Sequence, residues 1–264
     1  MKIIESILTK NLCYRANRRI NVKGLMIHSV GCSQPKASVF IKKWNKEGYD
    51  VCVHGFIDGN TGDIYQTLPW NHRGWHAGGS ANNTHIGIEM CEPSTIKYIS
   101  GSTWIETKDG TNTKETVMRT YKSAVELSAY LCKEYGLDPM ADGVVISHSE
   151  GYKRGIATNH GDVEHIWNQF GLTMSKFRRD IKDRMNDDIT NETSLLKPYL
   201  IKVNINNLNM RIGPDITYPS IGYIPRGVYT ITEICGKWGR LKSKQKYNGK
   251  MVYVWIHTDY ITRI

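Results

Sequence analysis

The sequence predicts an α/β fold, a mixed sheet with flanking helices, followed by a small all-β barrel. Over residues 1–186, short apolar strands alternate with helical patterns, which is typical of a sheet covered by helices. After residue 198 the pattern changes to short strands rich in β-branched and aromatic residues, separated by Gly and Pro turns. A polar, acidic stretch separates the two patterns. We therefore predict a first domain over 1–186, a linker over 187–198 and a second domain over 199–264.

The elements of each domain follow from hydrophobic periodicity. Apolar runs predict strands, and apolar residues three and four apart predict helices, the longest of which ends at Gly136 with Pro139 just beyond. In chain order we predict a strand over 24–30, a helix over 38–46, a hairpin over 56–67, a strand over 85–91, a helix over 115–135, a strand over 143–147 and a helix capped by Thr173. For the second domain we predict strands over 204–211, 227–233, 238–242 and 252–256.

Charge is unevenly distributed along the 264 residues, whose formal net charge is +10. Residues 194–264 hold 11 basic and 3 acidic side chains, which predicts an anionic partner: nucleic acid, a membrane surface or a cell-wall polymer. The six cysteines are scattered without a C-x-x-C pair, which favours reduced thiols. Apolar runs are too short for a signal peptide or a membrane span, so we expect a soluble protein made without a secretion signal.

Two histidines stand at the ends of predicted strands. His28 ends the run Leu25–His28, and His148 follows the run Val144–Ser147. If these strands are neighbours, the two imidazoles can converge on one metal ion, with a third ligand from the loop 159–165, in which Asp162 is our choice among several candidates. Three ligands and an open fourth position would give a zinc site able to activate water. The alternative is that both histidines are hydrogen-bonded structural residues, since no local metal motif fixes them.

A carboxylate lies within an apolar strand. In the segment 85–90, period-two alternation places Ile86, Ile88 and Met90 on one face, and Glu89 on the other beside Gly87. A Glu in such a strand is costly unless it is paired or catalytic, and burial would raise its pKa toward the range that general acid–base chemistry needs. A structural ion pair is the alternative.

Five short motifs in order carry a resemblance to a known family. They are Met26-Ile27-His28-Ser29, Val53-His54-Gly55-Phe56-Ile57-Asp58, Gly74-Trp75-His76-Ala77-Gly78, Ile86-Gly87-Ile88-Glu89 and Ser147-His148-Ser149-Glu150. Over about residues 23–167 this pattern resembles the type-2 N-acetylmuramoyl-L-alanine amidases, the group to which phage and prophage endolysins of this kind belong.

The resemblance implies a zinc ion held by His28, His148 and Asp162, and it implies that Glu89 activates the attacking water. It also implies that Trp75 and His76 line the substrate groove. Many members carry a Lys two residues before the last ligand to stabilise the oxyanion, and this chain has His160 there, which can donate a hydrogen bond to the same oxygen. Some relatives have a Tyr where this chain has Val53, so we expect His54 to be a groove-wall or structural residue rather than part of the acid–base machinery.

The second domain resembles bacterial SH3-like cell-wall-binding modules. The resemblance rests on Leu208-Asn209-Met210-Arg211-Ile212-Gly213-Pro214, Pro225-Arg226-Gly227-Val228-Tyr229, Lys237-Trp238-Gly239-Arg240-Leu241-Lys242 and Val254-Trp255-Ile256 with Tyr260. It implies bacterial peptidoglycan, and anionic wall polymers, as partners. A solvated basic surface without a ligand is the alternative.

The whole pattern predicts a zinc-dependent hydrolase of the amide bond between N-acetylmuramic acid and L-alanine. A non-catalytic peptidoglycan-recognition protein of the same fold is the first alternative. A nucleic-acid-binding protein is the second, but only the charge suggests it and no nucleic-acid module is recognisable, so we expect no nucleic-acid partner. A wall-directed enzyme without a secretion signal is expected to be an endolysin, held in the host cytoplasm until release and then acting on the wall.

Overall fold

The computed structural model describes residues 1–107, 110–193 and 198–264, and for residues 187–193 it describes the backbone alone. The chain divides into two compact units, Met1–Met185 and Asn186–Ile264. The predicted linker, residues 187–198, lies largely outside the described residues. Its bounds therefore stay a prediction from the sequence. No helix among the described residues is long and apolar enough to cross a membrane.

The first unit alternates strands and helices. Its strands are β1 (Ile3–Glu5), β2 (Gly24–Ser29), β3 (Gly55–Ile57), β4 (Ile64–Gln66), β5 (His85–Met90), β6 (Ile96–Ser100), β7 (Thr103–Glu106) and β8 (Val145–Ser147). Its helices are α1 (Leu12–Arg15), α2 (Ala37–Trp44), α3 (Gly110–Glu134), α4 (His148–Lys153) and α5 (Glu164–Trp167), with 3-10 turns at Ser80–Asn83 and Asn168–Phe170. Helix α6 (Met174–Thr193) begins in this unit and continues past Met185.

Six strands form one mixed sheet in the order β1-β4-β3-β5-β2-β8. The β3–β4 hairpin is antiparallel, whereas β5, β2 and β8 run parallel to one another, with β8 at the edge of the sheet. Parallel strands need crossover connections, and the chain between β5 and β8 includes the long helix α3. The carboxyl ends of these three parallel strands therefore lie together on one side of the sheet, where open α/β sheets place their ligands.

The core lies between this sheet and the long helices. Ile86, Ile88 and Met90, on one face of β5, are buried in the same cluster as apolar residues of α3 and α6. Tyr121, Trp167 and Phe177 form an aromatic cluster with ring centroids 5.0–5.5 Å apart. The opposite face of β5 is therefore left to carry Gly87 and Glu89, as the alternation predicts.

The second unit is an all-antiparallel sheet. Its strands are β9 (Tyr199–Val203), β10 (Leu208–Arg211), β11 (Ser220–Ile224), β12 (Gly227–Cys235), β13 (Trp238–Tyr247), β14 (Lys250–His257) and β15 (Thr262–Arg263), with a 3-10 turn at Thr258–Tyr260. They pair in the order β11-β10-β14-β13-β12-β9-β15. Side chains of six of these strands form the core: Ile201, Val203, Leu208, Ile224, Ile231, Leu241, Val254 and Ile256.

The predicted fold class is confirmed: a mixed α/β sheet with flanking helices precedes a separate β unit. The predicted bounds of several elements differ from the observed ones. The predictions omit β1, β6, β7, β9, β11 and β15, and the strand expected over 204–211 begins only at Leu208. Asn207 has a φ of +61°, so the backbone bends before β10 instead of continuing a strand. Helix α3 begins five residues earlier than predicted and ends one residue before the predicted end, close to Gly136, whose φ is +62°.

Candidate metal centre and active-site cleft

Three side chains that can bind a metal ion meet at the carboxyl ends of the parallel strands β2 and β8. His28 lies near the end of β2, and His148 follows β8 directly as the first residue of α4. Asp162 belongs to the loop after α4, whose backbone is tied to that helix because Ser149 N donates to the Asp162 carbonyl at 3.1 Å. All three side chains are buried and could hold one metal ion together. The structure thus brings together the three residues that the sequence proposed as ligands.

Their ligand atoms have spacings that suit a small divalent cation. The His28 Nδ1 and His148 Nδ1 atoms are 3.0 Å apart, and Asp162 Oδ2 lies 3.3 Å from the first and 3.7 Å from the second. Ligands about 2.0–2.1 Å from a tetrahedral zinc ion are separated by about 3.3 Å. Two imidazole nitrogens and a carboxylate oxygen are also the donor set of catalytic zinc sites, which keep a fourth position for water. The residues present therefore fit a zinc ion.

Protonation states at the centre also fit a metal site. Burial and the neighbouring His28 lower the pKa of His148 to about 4, so this imidazole is neutral. Burial opposes ionisation of Asp162, but the hydrogen bond with His28 and the charge of His28 outweigh burial and lower the pKa of Asp162. For His28, burial lowers the pKa and the Asp162 carboxylate raises it, with a net increase. The Asp162 carboxylate thus stabilises a proton on the His28 imidazole, and a bound metal cation would take the place of that proton.

Glu89 faces the same site from the strand next to His28. The two residues are register partners in the parallel pair β2–β5, so their side chains project from the same face. Burial is the main cause that raises the pKa of Glu89 to about 8; His28 lowers it, whereas the Asp162 and Glu92 charges raise it. A carboxylate with this pKa can take up and release a proton near neutral pH, as the sequence interpretation requires.

These side chains open into one cleft with a volume of about 600 Å³. Its floor contains His28, His148, Asp162 and Glu89. The remaining lining residues are Ser29, Val30, Gly31, Trp44, Val51, His76, Tyr98, Gly101, Ser102, Asn159, His160, Gly161 and His165. A cleft of this size, with polar groups concentrated at one point, is typical of a small-molecule or oligomer-binding site.

His160 lies at the mouth of the cleft. Its ring stacks on the ring of His148, with centroids 4.5 Å apart, and its Nδ1 is 3.9 Å from Asp162 Oδ1. The side chain is 60 % exposed, so it can turn a ring N–H toward a bound substrate. Its place beside the metal ligands is compatible with the predicted donor to an oxyanion.

Two of the predicted groove residues do not line this cleft. His54 is fully buried, with Nε2 donating to the His72 carbonyl at 2.8 Å and Nδ1 accepting from Gly87 N at 2.9 Å. Both ring nitrogens are therefore used by the main chain, which favours the structural role for His54 over the groove-wall role, the two roles expected from the sequence. Trp75 is 42 % exposed, but it lines a separate surface pocket with Arg73, whose guanidinium carbon lies 5.0 Å from the indole ring centre.

The backbone explains why Trp75 and His76 differ. Trp75 forms an isolated antiparallel bridge with Cys52, so the segment is extended and successive side chains point to opposite sides. His76 consequently faces the cleft, with its Nδ1 3.0 Å from His28 Nε2, whereas Trp75 faces away.

The structure adds a polar network that the sequence interpretation missed. Buried Glu92 accepts from Gly31 N at 2.9 Å and from the Tyr98 hydroxyl at 2.8 Å, and this hydroxyl lies 2.6 Å from His165 Nε2. Trp104 Nε1 donates to the His165 carbonyl at 3.0 Å. These contacts attach the β6–β7 hairpin to α5, the helix that follows the loop carrying Asp162. No spacing in the sequence signals them, because Tyr98 and His165 are 67 residues apart.

Solved structures of other proteins share the fold of this chain. The crystal structure of the Staphylococcus aureus hydrolase AmiA in complex with its ligand has a TM-score of 0.55 at 19 % identity, covering 72 % of this chain and 85 % of that one. The solution structure of the PlyG catalytic domain has a TM-score of 0.50 at 15 % identity, covering 70 % and 96 %. At these identities the similarity concerns the fold alone.

Sequence comparison is more specific. A 33-residue segment is 61 % identical to N-acetylmuramoyl-L-alanine amidase XlyA of Bacillus subtilis (strain 168), and it covers 11 % of this chain and 11 % of that relative. This match spans about a tenth of the curated relative's length. The sequence pattern of a whole family, described as N-acetylmuramoyl-L-alanine amidase, matches residues 17–163, more than half of the chain and the region that carries His28, Glu89, His148 and Asp162. The chain belongs to the N-acetylmuramoyl-L-alanine amidase family.

Proposed function

We propose that this protein is a zinc-dependent peptidoglycan hydrolase that cleaves the amide bond between N-acetylmuramic acid and L-alanine. The observation that carries the proposal is the convergence of His28, His148 and Asp162, with Glu89 on the adjacent strand, at the floor of one open cleft. Membership of the amidase family supports the choice of bond. All three ligand positions hold competent side chains, which favours an enzyme over a non-catalytic recognition protein of the same fold.

Each residue has a distinct task in this reaction. Zinc held by the three ligands would supply a Lewis acid that activates water and polarises the scissile carbonyl. The Glu89 carboxylate accepts a proton from the attacking water and returns it to the alanine nitrogen as the C–N bond breaks, which leaves a lactyl carboxylate and a free amine. His160, at the cleft mouth, donates a ring N–H to the oxygen on which negative charge develops.

The bond that is cut and the need for metal can be tested together. Purified sacculi digested with the full chain are expected to release peptides with new N-terminal alanine, while mass spectrometry finds glycan strands that carry free lactyl carboxylates. A chelator should stop the release and added zinc should restore it. Cleavage of a glycosidic or peptide bond, or activity that a chelator leaves unchanged, would contradict the proposal. Retention on sacculi without any release would favour the non-catalytic alternative.

We further propose that the second unit binds the cell wall through a groove of about 370 Å³. The groove is lined by Ile205, Asn207, Leu208, Asn209, Arg211, Ile216, Trp238, His257 and Tyr260. Among the described residues, Arg211 Nε is a buried donor without a hydrogen-bond partner. Exposed Ile216 and Tyr260 offer apolar contacts beside this donor. The excess of Lys and Arg in residues 194–264 supports an anionic wall component as the ligand.

Substituting Tyr260→Ala in the full chain is expected to weaken retention on sacculi about five- to tenfold, since it removes an aromatic wall of the groove. Tyr223→Ala is the matched control, because Tyr223 is 58 % exposed, close to the 55 % of Tyr260, and lies outside the groove. A pull-down with washed sacculi measures both variants. Equal retention of both would contradict the groove as the binding site, and preferential binding to DNA at the same salt concentration would favour a nucleic-acid partner.

A wall-directed amidase with a separate wall-binding unit suits the role of an endolysin. We propose that the protein stays in the host cytoplasm until the membrane is opened and then acts on the wall.

A further inference from the structure

The segment that carries His76 is fixed by one buried amide. The backbone N–H groups of His76 and Ala77 both donate to Asn82 Oδ1 at 2.9 Å, and Asn82 is fully buried in the 3-10 turn that follows. Asn82 therefore holds the position from which the His76 ring reaches toward His28.

The contacts of the His76 ring determine where its proton lies. His76 Nε2 lies 3.1 Å from the His85 carbonyl oxygen, which can only accept a hydrogen bond. Nε2 of the neutral ring therefore carries the proton. The other nitrogen, Nδ1, is left as an acceptor, and it lies 3.0 Å from His28 Nε2.

The contact with His76 also determines the tautomer of His28. Because His76 Nδ1 accepts, His28 Nε2 must donate, and a neutral His28 then has its lone pair on Nδ1. That atom is the one that lies 3.0 Å from His148 Nδ1 and 3.3 Å from Asp162 Oδ2. We propose that His76 is a positioning residue that fixes the His28 tautomer, so that Nδ1 of His28 is presented to a metal ion. The identity of the ion as zinc rests on the proposed function, whereas the His28 tautomer follows from the hydrogen bonds alone.

The neighbouring ligand has an independent arrangement of the same kind. His148 Nε2 lies 3.3 Å from Thr158 Oγ1, and this hydroxyl donates to the Ala77 carbonyl at 3.2 Å. The hydroxyl proton is thus used on the carbonyl, so Thr158 accepts from His148 Nε2–H and leaves His148 Nδ1 free. Both imidazoles present Nδ1, and both chains of hydrogen bonds involve the segment 76–77. Hydrogen-bond partners of this kind orient ligand rings and strengthen metal binding.

Gly87 provides the space for the His76 ring. A Cβ at position 87 would lie 2.6 Å from His76 Cγ and 2.8 Å from His76 Nδ1, closer than side-chain atoms can approach. The φ of Gly87 is not in the left-handed region, so alanine itself fits the backbone and the conflict is with the His76 ring. Gly87→Ala is therefore a way to displace His76 without changing it.

The test uses metal affinity and tautomer state in the full chain. His76→Leu, which removes the acceptor, is expected to weaken zinc binding about 10- to 100-fold in competition with a chromogenic chelator. His76→Asn, whose Oδ1 can replace Nδ1 as an acceptor, should recover most of that loss. Nitrogen NMR of the metal-free protein at alkaline pH should show His28 protonated at Nε2 in the wild type and a mixture of tautomers in His76→Leu. Thermal unfolding of each variant separates these effects from misfolding.

Gly87→Ala supplies the second measurement. It should weaken zinc binding when His76 is present and have little further effect in the His76→Leu background, which is the non-additivity expected of two contacting residues. Zinc binding within twofold of wild type in His76→Leu, or a wild-type His28 protonated at Nδ1, would overturn the proposal. If the wild type binds no zinc, the proposed function fails, while the tautomer measurement still decides the role of His76.

Discussion

Replacing Glu89 with Gln is expected to lower the turnover of sacculi by about 10²- to 10⁴-fold while leaving the metal bound. Gln has nearly the same shape, but it cannot accept the proton that the attacking water must lose. The three ligand side chains do not depend on Glu89, so zinc content should stay at one ion per chain. Release of N-terminal alanine and elemental analysis of the same sample measure the two quantities.

Stability provides the control for this variant. Burial raises the pKa of Glu89 to about 8, above its value in the unfolded chain. The metal-free fold therefore loses stability as the pH rises from the unfolded pKa to about 8, and the loss is complete above that pH. The neutral Gln variant should therefore unfold at the same temperature as the wild type or a higher one near neutral pH. Glu89→Asp, which keeps the base but withdraws it by one methylene, should have intermediate activity. Wild-type turnover in Glu89→Gln would exclude Glu89 as the base.

Removing one ligand should have the second large effect. Asp162→Ala leaves two imidazoles as zinc ligands. We expect zinc affinity to fall by more than about 100-fold, because the loss of a residue that only hydrogen-bonds to a ligand already lowers metal affinity by up to about 100-fold. Turnover should fall by at least about 10³-fold, since the Lewis acid supplies several kcal/mol of stabilisation in the transition state.

A conservative rescue separates ligand loss from a general disturbance of the loop. Asp162→Cys offers a thiolate, which zinc binds readily, so this variant should keep metal that Asp162→Ala loses. Both can be compared by dialysis against buffered zinc followed by metal analysis. Tight zinc binding by Asp162→Ala would mean that the third ligand lies elsewhere, and equal loss in both variants would indicate that the substitution disrupts the loop.

Much of this site could be predicted because it depends on strand periodicity. A strand exposes alternate residues to each face, so the placement of Glu89 opposite Ile86 and Ile88 follows from the sequence. His28 and His148 follow apolar runs, which places them at the carboxyl edge once the strands are neighbours. Their convergence with Asp162 could be proposed from the family resemblance, but spacing alone left several candidates in the loop 159–165.

Other features could not be predicted because they depend on tertiary contacts. The motif containing Trp75 and His76 suggested that both rings line one groove, but the bridge to Cys52 extends the backbone and sends them to opposite sides. From the sequence alone His54 could be a groove-wall residue, whereas both of its ring nitrogens are hydrogen-bonded to backbone groups of His72 and Gly87. The supports supplied by Asn82 and Thr158 are made by ordinary polar residues in loops, for which no local pattern exists.

X-ray absorption at the zinc edge, on the full chain loaded with one equivalent of zinc, reports the ligands of the metal ion. We expect a single four-coordinate zinc ion with two imidazole ligands and two oxygen ligands, one from Asp162 and one from water, at about 2.0–2.1 Å. A spectrum with sulfur ligands, with six oxygen ligands or with a single imidazole would contradict the assignment of His28, His148 and Asp162 to one metal centre.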